Sequence, residues 1–291
     1  MDQVLIVNPF ASGVSESRLA DVVAALPLGT GVLLTGARGD AVEMARNASR
    51  RGRTIYVFSG DGTYNEVLNG LEADVPVGFI PGGGTSVLPR ALGLPRDPVR
   101  AAERVALGAT RRISLGRVNG RRFGFNAGIG LDAELVRRVD QLGRNKDGKR
   151  PGDITFGWTM LRTIAERRGR FEPGLEIEGL GRAAFALVAN GSPYTYAGAV
   201  AIRLAPDVTF EGGFDVVAPA ELHGRSLTRF AVRALRGTGI DSDGGVIYAH
   251  DLDRIVVRCD SPMPLQMDGE DLGDVEEAVI EAERDVLTVL V

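Results

Sequence analysis

The sequence predicts an α/β protein in which an N-terminal, doubly wound and mostly parallel sheet is followed by a β-rich, sandwich-like C-terminal domain. Three observations carry this expectation. Strand-like and helix-like segments alternate through the first third of the chain, and three of those strands run into turns rich in Gly, Asn and Ser. After about Gly116 the pattern changes to short strands of mixed hydrophobicity separated by Gly, Pro and Asp. Residues 1–116 and 117–291 are the corresponding domains, with the last strand free to return to the first.

The alternating part reads in order as strand Val4 to Val7, helix Glu16 to Leu26, strand Gly31 to Leu34, helix Asp40 to Arg51, strand Thr54 to Phe58 and helix Glu66 to Leu71. Thr63 is the expected N-cap of that third helix. A strand at Val77 to Ile80, a short helical segment at Ser86 to Leu92 and a helix at Pro98 to Leu107, introduced by Asp97 and Pro98, complete it. The second half offers strands at Arg122 to Ala127, Leu175 to Ile177, Ala184 to Ala189, Val200 to Leu204 and Phe214 to Val217. It continues with Val246 to Tyr248, Arg254 to Arg258, Pro264 to Met267, Ala278 to Ala282 and Val286 to Val291. Helices at Leu131 to Val139, Ile154 to Arg167 and Leu227 to Arg236 interrupt them.

Composition narrows the function classes. At 44% hydrophobic and 25% charged residues, the 291-residue chain is an ordinary globular one, and a formal charge of -4 argues against broad nucleic-acid binding. One cysteine, Cys259, excludes an intramolecular disulfide and a cysteine zinc cage. With only His223 and His250, outside any acidic or glycine cluster, proton transfer is expected to fall to carboxylates. No apolar stretch approaches the roughly 20 residues that span a bilayer, so the expected setting is cytoplasmic, with at most a transient contact at the inner face of the membrane.

Three turns at strand ends carry the chemistry. Ser59-Gly60-Asp61-Gly62-Thr63, with Asn65 and Glu66, combines close backbone approach with a carboxylate, which a plain turn does not need. Asp61 would hold Mg²⁺ against nucleotide phosphates or hydrogen-bond at a reacting centre. Asn8-Pro9-Phe10-Ala11-Ser12-Gly13 and Pro81-Gly82-Gly83-Gly84-Thr85-Ser86 occupy the same expected sheet edge, where α/β sheets bind ligands. Neither the Asp61 turn nor Gly82 to Ser86 has Walker or dinucleotide-fingerprint spacing. Asp268-Gly269-Glu270 reads either as a hairpin tip or as a source of a base, Glu270, for an alcohol acceptor. A locally basic segment holds Arg137, Arg138, Arg144, Lys146, Lys149, Arg150, Arg162, Arg167, Arg168 and Arg170, interleaved with Phe156, Trp158, Met160 and Leu161. It is either a solvated helical face or a membrane-surface contact.

These residues resemble the diacylglycerol kinase catalytic-domain family, which includes bacterial lipid kinases and the eukaryotic sphingosine and ceramide kinases. The ordered matches are Asn8-Pro9 through Ser12-Gly13, Thr35 with Gly39-Asp40-Ala41, Ser59 through Leu71, Ile80 through Leu94, Phe125 through Ala133, and Asp268-Gly269-Glu270. The resemblance implies a nucleotide-binding first domain of the kind shared with NAD kinases, a lipid-substrate second domain and an active cleft between them. It implies ATP and Mg²⁺ as cofactors, with Asn8, Pro9, Ser12, Gly13, Thr35, Ser59, Gly60, Asp61, Gly62, Thr63, Asn65, Glu66, Gly84 and Thr85 toward the nucleotide. Asp61 would serve the metal and catalysis, and Glu270 would be the general base toward a membrane-lipid hydroxyl, diacylglycerol giving phosphatidic acid. A homodimer is compatible with it. The chain departs from the family pattern at Ser59, where the turn usually opens with Gly, and at Leu88 and Ser114, where an Asp is usual. It departs again at Gly212-Gly213, where bacterial relatives carry the Asp-Gly of an accessory Mg²⁺ site. A kinase for a soluble alcohol of NAD or sugar type, and a catalytically inactive nucleotide- or lipid-binding regulator, remain alternatives.

Overall fold

The computed structural model describes residues 2–143 and 153–291, so Arg144, Lys146, Lys149 and Arg150 of the basic segment lie outside the described residues. The chain divides into two compact units, Met1–Ser114 with Asp285–Val291, and Leu115–Arg284.

The first unit runs β1 (Gln3–Val7), α1 (Glu16–Ala25), β2 (Gly31–Leu34), α2 (Asp40–Arg50), β3 (Thr54–Ser59), α3 (Asp61–Gly70), β4 (Val77–Pro81), α4 (Val87–Ala91) and α5 (Pro98–Ala106). β5 (Thr110–Val118) leads into the second unit: β6 (Arg121–Phe123), β7 (Asn126–Ile129), α6 (Leu131–Gln141), α7 (Asp153–Glu166), β8 (Arg170–Phe171), β9 (Leu175–Ile177), β10 (Gly181–Ala183) and β11 (Ala186–Ala189). The unit continues with β12 (Thr195–Ala197), β13 (Val200–Ile202), β14 (Phe214–Pro219), β15 (Leu222–His223), α8 (Arg225–Arg236), β16 (Val246–Leu252), β17 (Arg254–Met267) and β18 (Glu270–Leu290).

In the first unit the strands lie in the order β2-β1-β3-β4, all parallel, and the end of β18 adds to β4 through Val289 opposite Val77. Leu5, Val7, Tyr56, Phe58 and Ile80 form one buried face with Val22 of α1 and Ala101 and Val105 of α5. Val4, Ile6, Ile55, Val57 and Phe79 are buried as well, and α2 and α3 pack on each other and on β3. Burial on both faces is the reason these strands read as continuous apolar runs. Helix ends follow their chemistry: Ser15 caps α1 by accepting from Arg18 N, and Asp97 caps α5 by accepting from Arg100 N at 2.9 Å.

One boundary corrects the expectation. α3 begins at Asp61 rather than Glu66, and Gly60, not Thr63, is its N-cap. The Thr63 hydroxyl is not available for capping because it accepts from Ser59 Oγ at 2.8 Å and from Asn8 Nδ2 at 3.3 Å. Asp61 in the first turn instead offers the helix start a negative charge.

The second unit is built on antiparallel pairs in the order β16-β14-β11-β7-β17-β18, with β9 joining β17 and β10 joining β9. Alternation places Ala186 and Val188 of β11 in one core with Phe123, Phe214, Val257 and Ile280, while Leu187 and Ala189 enter a second core with Phe171, Phe185 and Phe230. The sheet therefore has a strand-packed face and a helix-packed face. Arg254 to Arg258 and Pro264 to Met267 are one strand, not two, with irregular register around Pro262 and Pro264, where proline lacks the N–H for regular pairing. Ala278 to Ala282 and Val286 to Val291 likewise belong to one strand that passes from the second unit into the first. In the other direction, Arg122 to Ala127 is split at Gly124-Phe125 into β6 and β7.

Candidate active site

In the first unit, the three turns expected to act together do converge at the C-terminal edge of β1, β3 and β4. Gly13 N donates to Gly82 O at 2.8 Å, which fixes the Asn8 turn to the Gly82 turn. The Asp61 and Gly82 turns touch backbone to backbone: a Cβ at Gly83 would stand 2.7 Å from Gly60 Cα, and one at Gly60 would stand 3.2 Å from Gly83 Cα. Glycine is required at this crossing because no side chain fits between the two chains. A Cβ at exposed Gly84 would lie 3.9 Å from Ser12 Oγ, so Ser12 and Gly84 are neighbours on the open side.

Beneath the turns a polar chain ties β1 to β3. Asn8 Nδ2 donates to Thr63 Oγ1, Thr63 Oγ1 accepts from Ser59 Oγ, and Asn8 Oδ1 accepts from Phe10 N at 2.9 Å. Ser59 thus gives the turn a buried hydroxyl. Tyr64, which the sequence reading passed over, places its hydroxyl 2.6 Å from Ser59 O and 2.7 Å from Ile80 O and clamps the ends of β3 and β4. Burial and then the Asp61 charge hold that phenol well above its usual range, so it remains a donor. Thr35 is buried beside the end of β1, its N–H donating to Val7 O at 2.9 Å. Pro9 is exposed, while Asn65 is fully buried against Asn69, which donates to Asn65 O at 2.9 Å. Asn65 therefore supports α3 from below and presents no surface.

Asp61 is the most connected carboxylate of this edge. Its Oδ2 accepts from Val87 N at 3.0 Å and its Oδ1 from Leu88 N at 3.2 Å, which caps α4 from another turn. Ser86 enters α4 at φ 46° and its hydroxyl accepts from Gly83 N at 3.1 Å. Leu88, where the family pattern has an acid, is 1% exposed and belongs to the core. The described residues form no cluster of three or more His, Cys, Asp or Glu side chains that could hold a metal ion. Half-buried Glu66 follows one turn later on α3, and the Thr85 carbonyl accepts from Arg90 Nη1 at 3.3 Å.

In the second unit the Asp268-Gly269-Glu270 hairpin divides its acids. Asp268 is 5% exposed and in the left-handed region at φ 49°, and its carboxylate accepts from Gly124 N at 2.7 Å, Phe125 N at 3.0 Å and Asn126 N at 3.3 Å. This explains the break between β6 and β7. Glu270 is half-buried on the other side of the same turn, with Arg121 Nη2 donating to its Oε2 at 3.0 Å. Behind the hairpin, Gln266 accepts from Gly269 N at 2.9 Å and donates to Asp132 Oδ2 at 2.7 Å. Asp132 also accepts from the Tyr194 hydroxyl at 2.7 Å. Burial pushes the Asp132 carboxyl up, and the Tyr194 and Gln266 bonds offset only part of that. Gln266 and Tyr194 carried no signal in sequence, because Asp132, the acid they share, lies 134 and 62 residues away from them.

Four of the described cations of the basic segment are paired with acids. Arg137 pairs with Asp271 at 2.9 Å and Asp274 at 2.6 Å, Arg138 with Glu134 and Glu166, Arg162 with Glu166, and Arg167 with Glu134. Trp158 is 69% exposed, so it is not a core residue.

A parallel sheet with three interlocked glycine turns at the carboxyl ends of its strands, joined in one chain to a β-rich unit, has the architecture of α/β proteins that bind ligands at that edge. The sequence profile of the diacylglycerol kinase catalytic domain matches residues 2–118. A diacylglycerol kinase of Bacillus subtilis is 31% identical over 242 residues, covering 81% of this chain and 77% of that protein. A second relative, a diacylglycerol kinase of Staphylococcus saprophyticus, is 38% identical over 90 residues, covering 29% of each chain. The chain belongs to the diacylglycerol kinase family of lipid kinases. In fold it is similar to the crystal structure of a diacylglycerol kinase from Bacillus anthracis, with TM-score 0.72 at 20% identity over 99% of this chain and 96% of that one. It is more distantly similar to an NAD kinase from Archaeoglobus fulgidus in complex with ATP, with TM-score 0.51 at 13% identity over 99% and 93% of the chains. No helix among the described residues is long and apolar enough to cross a membrane.

Proposed function

We propose that the protein transfers the γ-phosphoryl group of ATP to a hydroxyl of a membrane lipid, with diacylglycerol as acceptor and phosphatidic acid as product. The observation that carries this reading is the match, over most of both chains, to a diacylglycerol kinase, in a molecule whose glycine turns interlock at one sheet edge. The residues suit the nucleotide. Ser12, Gly84 and the start of α3 offer an open surface and helix-terminal N–H groups to an anion, while the Gly60–Gly83 crossing keeps the turns flat. ATP supplies the phosphoryl group when bound, and Mg²⁺ would neutralise charge on its phosphates. With the Asp61 carboxylate already bonded to Val87 and Leu88, the metal would arrive with the nucleotide, held chiefly by phosphate and water.

Within this reading Asn8, Ser59, Thr63 and Tyr64 hold the turns in register, and Asp61 fixes the Gly82 turn and serves the metal. Glu270, steadied by Arg121, accepts the proton of the lipid hydroxyl as its oxygen bonds to the γ-phosphorus and ADP leaves. The test is incubation of the purified protein with γ-labelled ATP and a total lipid extract. Label in phosphatidic acid is expected, and Glu270→Gln should lower turnover by about 10²–10⁴-fold while ATP affinity changes little. Label only in an added soluble alcohol, or none despite ATP binding, would overturn the assignment, and undiminished turnover of Glu270→Gln would remove the base.

A further inference from the structure

Among the described cations between Arg137 and Arg170, Arg137, Arg138, Arg162 and Arg167 pair with acids, whereas α8 carries four arginines on one side that have a single acid, Asp243, between them. Arg225, Arg229, Arg233 and Arg236 recur at helical spacing on one side of α8, and with Val232 they line a single shallow depression of about 680 Å³. The opposite side, Phe230 and Ala234, is buried in the helix-packed core. Arg229 and Arg233 share Asp243, whereas the side chains of Arg225 and Arg236 meet no carboxylate among the described residues. Beside the arginines, Val232 is 38% and Leu235 58% exposed. A helix already anchored to its own core gains nothing from these apolar groups in water.

We infer that the exposed face of α8 docks the protein on an anionic lipid bilayer. Arginine guanidinium groups match lipid phosphates in geometry and charge, and exposed aliphatic residues alongside them suit the headgroup–acyl boundary. The rest of the molecule strengthens the choice. The chain carries a formal charge of -4, so an anionic surface repels most of it and attracts this helix, which orients the protein as well as holding it. A nucleic acid would call for a longer cationic track and stacking aromatics, and α8 offers no exposed aromatic residue. The inference deepens the lipid-kinase reading by naming the surface that meets the membrane, and it rests on that reading for its purpose alone.

The experiment is flotation of the full chain with vesicles, in the absence of ATP and of diacylglycerol. Vesicles of phosphatidylcholine containing phosphatidylglycerol should bind the protein, phosphatidylcholine alone should bind it weakly, and binding should fall as salt is raised from 0.1 to 0.5 M. Arg225→Ser with Arg236→Ser should weaken partition by about thirty-fold, and Leu235→Ser should weaken it further. Phosphorylation of lipid dispersed in detergent micelles should be unchanged in the arginine variant, with circular dichroism and thermal midpoint matching the parent. Equal partition of parent and variant, binding indifferent to lipid charge, or binding to nucleic acid or an acidic protein in place of vesicles would overturn the inference. Because flotation needs no catalysis, it stands or falls separately from the lipid-kinase assignment.

Discussion

Asp61 and Asp268 aim their carboxylates at the backbone amides of distant segments, Asp61 at Val87 and Leu88, Asp268 at Gly124 through Asn126. In sequence Asp61 looks like an acid placed for chemistry beside glycine and Asp268 like part of a hairpin tip; in the folded protein each first holds two chain segments together. Asp132 is the opposite case, a carboxyl enclosed by Tyr194 and Gln266 with no cation paired to it among the described residues. Burial raises its affinity for a proton above the ordinary 3.8, so from about pH 4 up through its raised folded value the folded state binds more proton than the unfolded one, and stability falls as pH rises across that range. Asp132→Asn should therefore have a thermal midpoint at pH 7.5 equal to or above the parent's, with a flatter dependence on pH in that window. Its amide oxygen can still accept from both neighbours. A midpoint that drops sharply at pH 7.5 would show that the charge itself is stabilising.

The elements that form the site were legible to different degrees. The parallel strands and α1, α2 and α5 lie within a residue or so of their predicted bounds, because apolar period, Ser15 and Asp97 caps and glycine stops are local signals. The start of α3 was misplaced by five residues, since Thr63 looks like a cap until Ser59 and Asn8 engage its hydroxyl. The long strands β17 and β18 were read as fragments, because Pro262, Pro264 and the Asp285 kink at φ 51° mimic turns. At this scale the Gly60–Gly83 crossing is the decisive feature. Gly83→Ala must push two turns apart, at a cost of about 1–3 kcal/mol, and should raise the KM for ATP about tenfold with a lower thermal midpoint. An alanine variant with parental KM and midpoint would show that the turns do not meet as described.

On the scale of the whole molecule, the chain closes its first unit with its last residues. Leu287 and Val289 are buried there, Arg112 bonds Asp285 at 2.7 Å and Thr288 at 3.1 Å, and Thr288 N donates to Asp74 at 3.0 Å. Burial works against ionised Asp74, but Arg112 and Thr288 more than compensate and keep its carboxyl below the usual range. Val289→Ala should destabilise the protein by about 2 kcal/mol in denaturant titration followed by circular dichroism, and an unchanged midpoint would contradict the return of β18 to β4.

By itself the sequence determined the alternation of strand and helix, the position of the glycine turns at strand ends and the family to which the chain belongs. Each of these is set by neighbours within a few residues or by short motifs in order. Only the tertiary structure decided that Asp61 caps α4, that Asp268 divides β6 from β7, that Asn65 is buried and that Arg225, Arg229, Arg233 and Arg236 share one exposed face of α8. Those outcomes depend on which distant amides, acids and apolar faces the fold brings together, and a hydrogen bond spanning more than a hundred residues leaves no local periodicity to read.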